Sequence, residues 1–178
     1  MKTGRSSLAL ALCLLAIGVL GVTVCSCTNG AQASSTVSSN NVFLTLTADK
    51  STYDLGEKVM ITARVKSRSS ESVKYEYGEW SEIELGVGPV DGPSEHGACL
   101  LEGGGMCNCV FRAIGHVGTL DPGESLVFET SWNQELYILP TSQVMEPAPG
   151  EYEITARFDF YEGQDLREIT TSVTIEIR

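Results

Sequence analysis

Residues 120–132, LDPGESLVFETSW, carry the pattern on which the rest of the chain is built. Leu126, Phe128, Thr130 and Trp132 fall on one side of an extended backbone, with mostly polar residues between them. A period of two with one apolar side marks a strand that lies on a core and faces water outwards. The strand is preceded by Pro122-Gly123-Glu124, where proline fixes φ at the first corner of a turn and glycine supplies positive φ at the second. An echo begins at Pro149-Gly150-Glu151 and places Tyr152, Ile154, Ala156 and Phe158 on one side. A third copy, without the proline, is Leu55-Gly56-Glu57 followed by Val59, Ile61, Ala63 and Val65.

The same alternation predicts strands over residues 42–48, 58–66, 73–77, 110–117, 152–160 and 167–177, with a short one through Ile83, Leu85 and Val87. Turn formers fill residues 49–57, 67–72 and 162–165, and a long connection with Pro140 and Pro147 spans 133–148. No stretch after Asn41 shows a helical period of any length. The expected fold is all-β: an immunoglobulin-like antiparallel β-sandwich of seven to eight strands over residues 42–178, with Trp80 and Trp132 as large core aromatics. A sandwich of this size has enough inward side chains to hold together without metal or disulfide.

The amino-terminal segment changes where that domain is expected to work. Lys2 and Arg5 precede an apolar run over residues 8–24, and no acid occurs before Asp49, the grammar of an export signal. Val24-Cys25-Ser26-Cys27 is similar to a bacterial lipobox, which makes Cys27 the favoured lipid anchor and residues 1–27 a signal segment. Two other readings stay open, cleavage at Ala31-Gln32-Ala33 and an uncleaved membrane anchor. Residues 28–41, TNGAQASSTVSSNN, read as a flexible Ser-rich tether. Each reading places the domain outside the cytoplasm, in the cell envelope or secreted.

Charge narrows the partners. Twelve cations stand against 23 acids, a net of −11, and removal of residues 1–27 deletes Lys2 and Arg5 and leaves 10 cations against 23 acids, a net of −13. Such a surface repels nucleic-acid phosphates and anionic headgroups, so no nucleic-acid partner is expected, and contact with the membrane runs through the lipid.

The motif Tyr53, Gly56, Glu57, Val59 and Ile61 is common to bacterial immunoglobulin-like modules. Leu120-x-Pro122-Gly123-Glu124-Ser125, then Phe128, Trp132 and Pro149-Gly150-x-Tyr152, resembles more narrowly the BsuPI-type intracellular proteinase inhibitor domain. The resemblance covers residues 43–87 and 119–177 and implies an immunoglobulin-like sandwich whose founding activity is inhibition of a serine protease. It breaks in the middle, where that family carries a Tyr-Asp-Phe strand and then a Trp-rich one. Here Ile83-Glu84-Leu85 and a Gly- and Cys-rich insertion over residues 86–118 stand instead.

That insertion holds both histidines and three cysteines. In an oxidising compartment Cys99 is expected to pair with Cys107 or Cys109, leaving an odd thiol. His96, Cys99, Cys107, Cys109 and His116 could also offer ligands to zinc or copper(I), but their spacing matches no strong zinc signature, so no metal and no cofactor is expected. Catalysis has little to stand on. Cys109 and His116 lie too close along one predicted strand to form an oriented nucleophile and base, and Glu76, Glu79, Glu82 and Glu84 read as surface acids before a glycosidase pair. The expectation is therefore a non-enzyme: a lipid-anchored protein-binding module, with proteinase inhibition as its most specific form. An envelope spacer and a metal-binding envelope protein are the alternatives. Leu136, Tyr137, Ile138 and Leu139 form the expected contact loop for a protein partner such as a serine protease, and core cover is the competing role for the same residues.

Overall fold

The structure, a computed structural model, describes residues 31–178 except 79–80, 93–95, 102–104, 108–114, 139–140 and 142. Among the described residues there is no helix, and two β-sheets enclose one hydrophobic core. The smaller sheet has four strands, in the order β1 (Ala33–Ser39), β2 (Val42–Ala48), β4 (Val59–Ser67) and β10 (Ser125–Trp132). The larger has ten and is built on the long hairpin β13 (Gly150–Glu162) and β14 (Asp165–Ile177), paired over all thirteen residues. Beside β14 lies β3 (Thr52–Tyr53), the one parallel neighbour. The other edge of β13 is shared by β6 (Glu84–Pro89) and β5 (Val73–Tyr77). Outward from β6 run β7 (His96–Leu101), β11 (Leu136–Ile138) and β12 (Gln143–Met145); β8 (Gly105–Cys107) pairs with β7, and β9 (His116–Leu120) with β5.

The all-β sandwich expected from the sequence is therefore present, with fourteen strands among the described residues rather than seven or eight. Most of the additions are three residues or fewer. The alternation reads through directly: Val59, Ile61, Ala63 and Val65, then Phe128, Thr130 and Trp132, then Tyr152, Ile154, Ala156 and Phe158, are all buried. Trp132 is wholly enclosed and meets Tyr152 of the facing sheet at 5.4 Å between ring centroids, so one side chain binds the two layers together. Trp80 lies outside the described residues, as do 110–114 of the strand expected over 110–117; the observed strand there is β9.

Two turns share one construction. In Asp54-Leu55-Gly56-Glu57 and Asp121-Pro122-Gly123-Glu124 the glycines take φ of +82° and +80°. Each glutamate N–H donates to the aspartate carbonyl, at 2.9 and 3.0 Å, and each glutamate carboxylate accepts from the aspartate N–H, at 3.1 and 2.7 Å. A side chain with a Cβ resists that φ, which is why glycine recurs there. The second Pro-Gly-Glu, at residues 149–151, is not such a turn: Gly150 already belongs to β13 and pairs with Ile177.

The tether reading of residues 28–41 is corrected for Ala33–Ser39, which form β1 and pair rung for rung with β2. Asn40 and Asn41, both at positive φ, turn the chain between them as a two-residue hairpin loop requires. Hydroxyl pairs Ser34–Thr47 at 3.3 Å and Thr36–Thr45 at 3.0 Å line the outer face. Ala33 and Val37 rest on the core, and Thr171 meets Ser35 at 2.8 Å. Among the described residues, every core side chain and every one packed against the core lies between Ala33 and Ile177.

Candidate functional site

The expected contact segment begins at a fixed base. Trp132 ends β10, and its indole N–H donates to the carbonyl of Glu135 at 2.7 Å. Between them Gln134, 2% exposed and at φ +57°, reaches the turn 54–57. Its Nε2 donates to the carbonyls of Asp54 (2.9 Å) and Glu57 (2.7 Å), and its Oε1 accepts from the N–H of Gly56 (2.8 Å). Beside it the Tyr53 hydroxyl donates to Asp49 at 2.7 Å and accepts from the N–H of Lys50 at 2.9 Å. Burial first, then the bond to Asp49, pushes the Tyr53 hydroxyl well above its ordinary pKa. Lys50 bridges to Glu57, which holds that carboxyl below its usual range with help from the N–H of Asp54. The start of the hairpin β11–β12 is therefore pinned to a turn almost eighty residues away in sequence. Sequence reasoning missed Gln134, because a glutamine in a polar connection gives no sign of burial.

From this base β11 pairs on one side with β7, Tyr137 opposite Gly97 and Ile138 opposite His96, and on the other with β12. The contact role expected for Leu136 is corrected: it is 1% exposed and belongs to the core, because a strand ending on the sandwich turns alternate side chains inward. Tyr137 and Ile138 are half-buried, and Leu139 lies outside the described residues. Among the described residues of the hairpin the exposed apolar side chain is Val144 on β12, at 55%. Among the described residues β12 pairs with β11 alone, so its outer backbone edge is the last row of the larger sheet.

The cysteine region sits next to this edge. Cys99 on β7 stands opposite Cys107 on β8, and Cys109 lies outside the described residues, as does Cys27. His96 belongs to β7, whereas His116 belongs to β9, where its ring lies 5.3 Å from that of Tyr77. Those two strands are not neighbours in the sheet, and among the described residues no three His, Cys, Asp or Glu side chains gather as a metal group. Two of the four glutamates are held by other partners. Glu76 accepts from the Tyr161 hydroxyl at 2.6 Å, and Glu84 lies 3.9 Å from Arg157. Arg157 also grips Asp159 with two bonds of 3.2 Å and Glu168 at 2.9 Å, an ion-pair network on the outer face of the larger sheet. Glu79 lies outside the described residues.

No family profile and no curated protein matches the chain. Among solved structures it is similar to a β-glucosidase from Listeria innocua (13% identity, TM-score 0.39) and one from Erythrobacter marinus (13%, 0.41), covering 83% of this chain and 16% of each enzyme. It is also similar to the sporulation control protein Spo0M of Bacillus subtilis (17% identity, TM-score 0.37), covering 83% of this chain and 49% of that one. The chain thus spans about a sixth of the glucosidases and half of Spo0M. Likenesses at this level assign it no activity.

Proposed function

We propose that this chain is an extracytoplasmic protein-binding module, anchored through a lipid on Cys27, that engages an extended segment of its partner along β12. Inhibition of a serine protease is the most specific form of that activity. The observation that carries the reading is the β11–β12 hairpin: a pinned base, a last strand with one described partner, and Val144 exposed beside it. Unpaired N–H and C=O groups along an edge accept an added strand, and neighbouring side chains choose which one. Because β1 begins at Ala33, the link to Cys27 is six residue steps, at most about 20 Å, which keeps the domain close to the bilayer.

The test uses residues 28–178 and a subtilisin-like serine protease. Inhibition at micromolar domain, lost in Val144→Asp and weakened in Tyr137→Ala, is the expected result. Undiminished protease activity removes the inhibitor form. Equal recovery of envelope proteins by wild type and Val144→Asp in a pull-down removes the binding edge and leaves a spacer. Mass spectrometry of the mature amino terminus is expected to find diacylglycerol on Cys27.

A further inference from the structure

The register of β7 and β8 bears on a pairing that the cysteine spacing leaves open. Strands β7 and β8 run antiparallel, with Leu101 opposite Gly105, Leu100 opposite Met106 and Cys99 opposite Cys107. Directly opposed residues of such a ladder have Cα atoms about 4.5 or 5.5 Å apart. Both values fall inside the roughly 4.4–6.8 Å that a disulfide spans. The register therefore sets Cys107 within disulfide reach of Cys99.

We propose that Cys99 and Cys107 form a cross-strand disulfide that fastens β8 to the outer edge of β7, next to the point where β11 joins the same edge. Along that edge β11 takes His96 and Gly97, and β8 takes Cys99 to Leu101. The bridge thus holds the strand from which the binding hairpin hangs. Its formation joins the two sulfurs and releases two protons and two electrons, which reduce one disulfide of an oxidant to two thiols. The proposal rests on the exported reading, since cytosolic thiol buffers keep such pairs reduced.

Residues 28–178 contain only the three cysteines of the insertion, and cleavage after Glu102 separates Cys99 from the other two. The domain is equilibrated with oxidised glutathione, alkylated in denaturant, cut after glutamate and weighed. A cross-linked pair of peptides two hydrogens lighter than the separate thiols is expected in wild type and in Cys109→Ser, and is expected to vanish in Cys107→Ser. Retention of the cross-link in Cys107→Ser with loss in Cys109→Ser overturns the pairing, as does full alkylation of all three thiols after oxidation. The same peptides from intact cells separate the two layers of the reading. A bridge formed in the tube but absent in cells upholds the pairing and overturns export.

Discussion

The two sheets share one core and present opposite outer faces. On the smaller sheet the outward positions carry Ser34, Thr36, Thr45, Thr47, Thr62, Arg64 and Lys66, and Glu129 is their one acid. Arg64 donates to Ser125 at 3.3 Å, and Arg68, just past β4, lies 4.5 Å from the centre of the Phe43 ring. On the larger sheet Glu76, Glu84, Glu151, Glu153, Glu168 and Glu176 face outwards against Lys74 and Arg157, while Asp159 is buried against Arg157. At these positions acids outnumber cations on the larger sheet, whereas the smaller sheet presents hydroxyls and cations together with the exposed Met60 and Val127. Inward positions are fixed by a shared requirement to exclude water, whereas outward ones answer only to solubility and partners.

The sharpest way to break this comparison is to attack what the faces share. Trp132→Ala removes the aromatic between the sheets and is expected to cost about 3–5 kcal/mol. A fall of that size in the unfolding free energy extrapolated from urea titration checks it, and a loss under about 1 kcal/mol would mean the layers do not meet there.

Next comes Gln134→Ala, which strips bonds from the carbonyls of Asp54 and Glu57 and the N–H of Gly56. Unpaired buried groups of this kind cost about 1–3 kcal/mol each where water cannot reach them. The variant is expected to unfold earlier in urea and to exchange amide hydrogens faster across β11 and β12.

The response to alkali is smaller. Tyr53, Tyr75 and Tyr152 are raised chiefly by burial, and Tyr161 chiefly by its bond to Glu76. Below a pH of about 10, the ordinary tyrosine value, both folded and unfolded chains hold these protons and the stabilisation is complete. As pH rises further the unfolded chain ionises first, and stability is lost progressively until the folded-state values are reached. Urea midpoints at rising alkaline pH are expected to fall, less steeply in Tyr53→Phe; an equal slope in that variant contradicts the assignment.

The smallest effect belongs to the faces themselves. Arg64→Gln with Lys66→Gln, or Glu151→Gln with Glu153→Gln, is expected to move stability by no more than about 0.5 kcal/mol. Salt-dependent binding to a cationic peptide should drop for the second pair of changes and not for the first. Equal loss in both would erase the distinction between the faces.

The frame was legible because its signals are local. Alternation at Val59–Val65 and at Tyr152–Phe158, and glycine in two Asp-x-Gly-Glu turns, depend on neighbours in sequence, and the structure keeps them. Strand β1 was missed because Ser/Thr alternation lacks an apolar stripe, although Asn40-Asn41 was a hairpin signal that could have revealed it. Strands β11 and β12 are too short to show a period, and their existence depends on β7 lying alongside.

The sequence by itself determined that residues 42–178 form an all-β domain, which sides of β4, β10 and β13 enter the core, and where its two Asp-x-Gly-Glu turns fall. Tertiary structure alone decided that Leu136 is inside, that Gln134 is the pin of the hairpin, and that Cys99 stands across from Cys107. Periodicity is set by the geometry of a single strand, one residue to the next. Register and edges are set by which strands meet, and distant segments settle that only when they close on a common core.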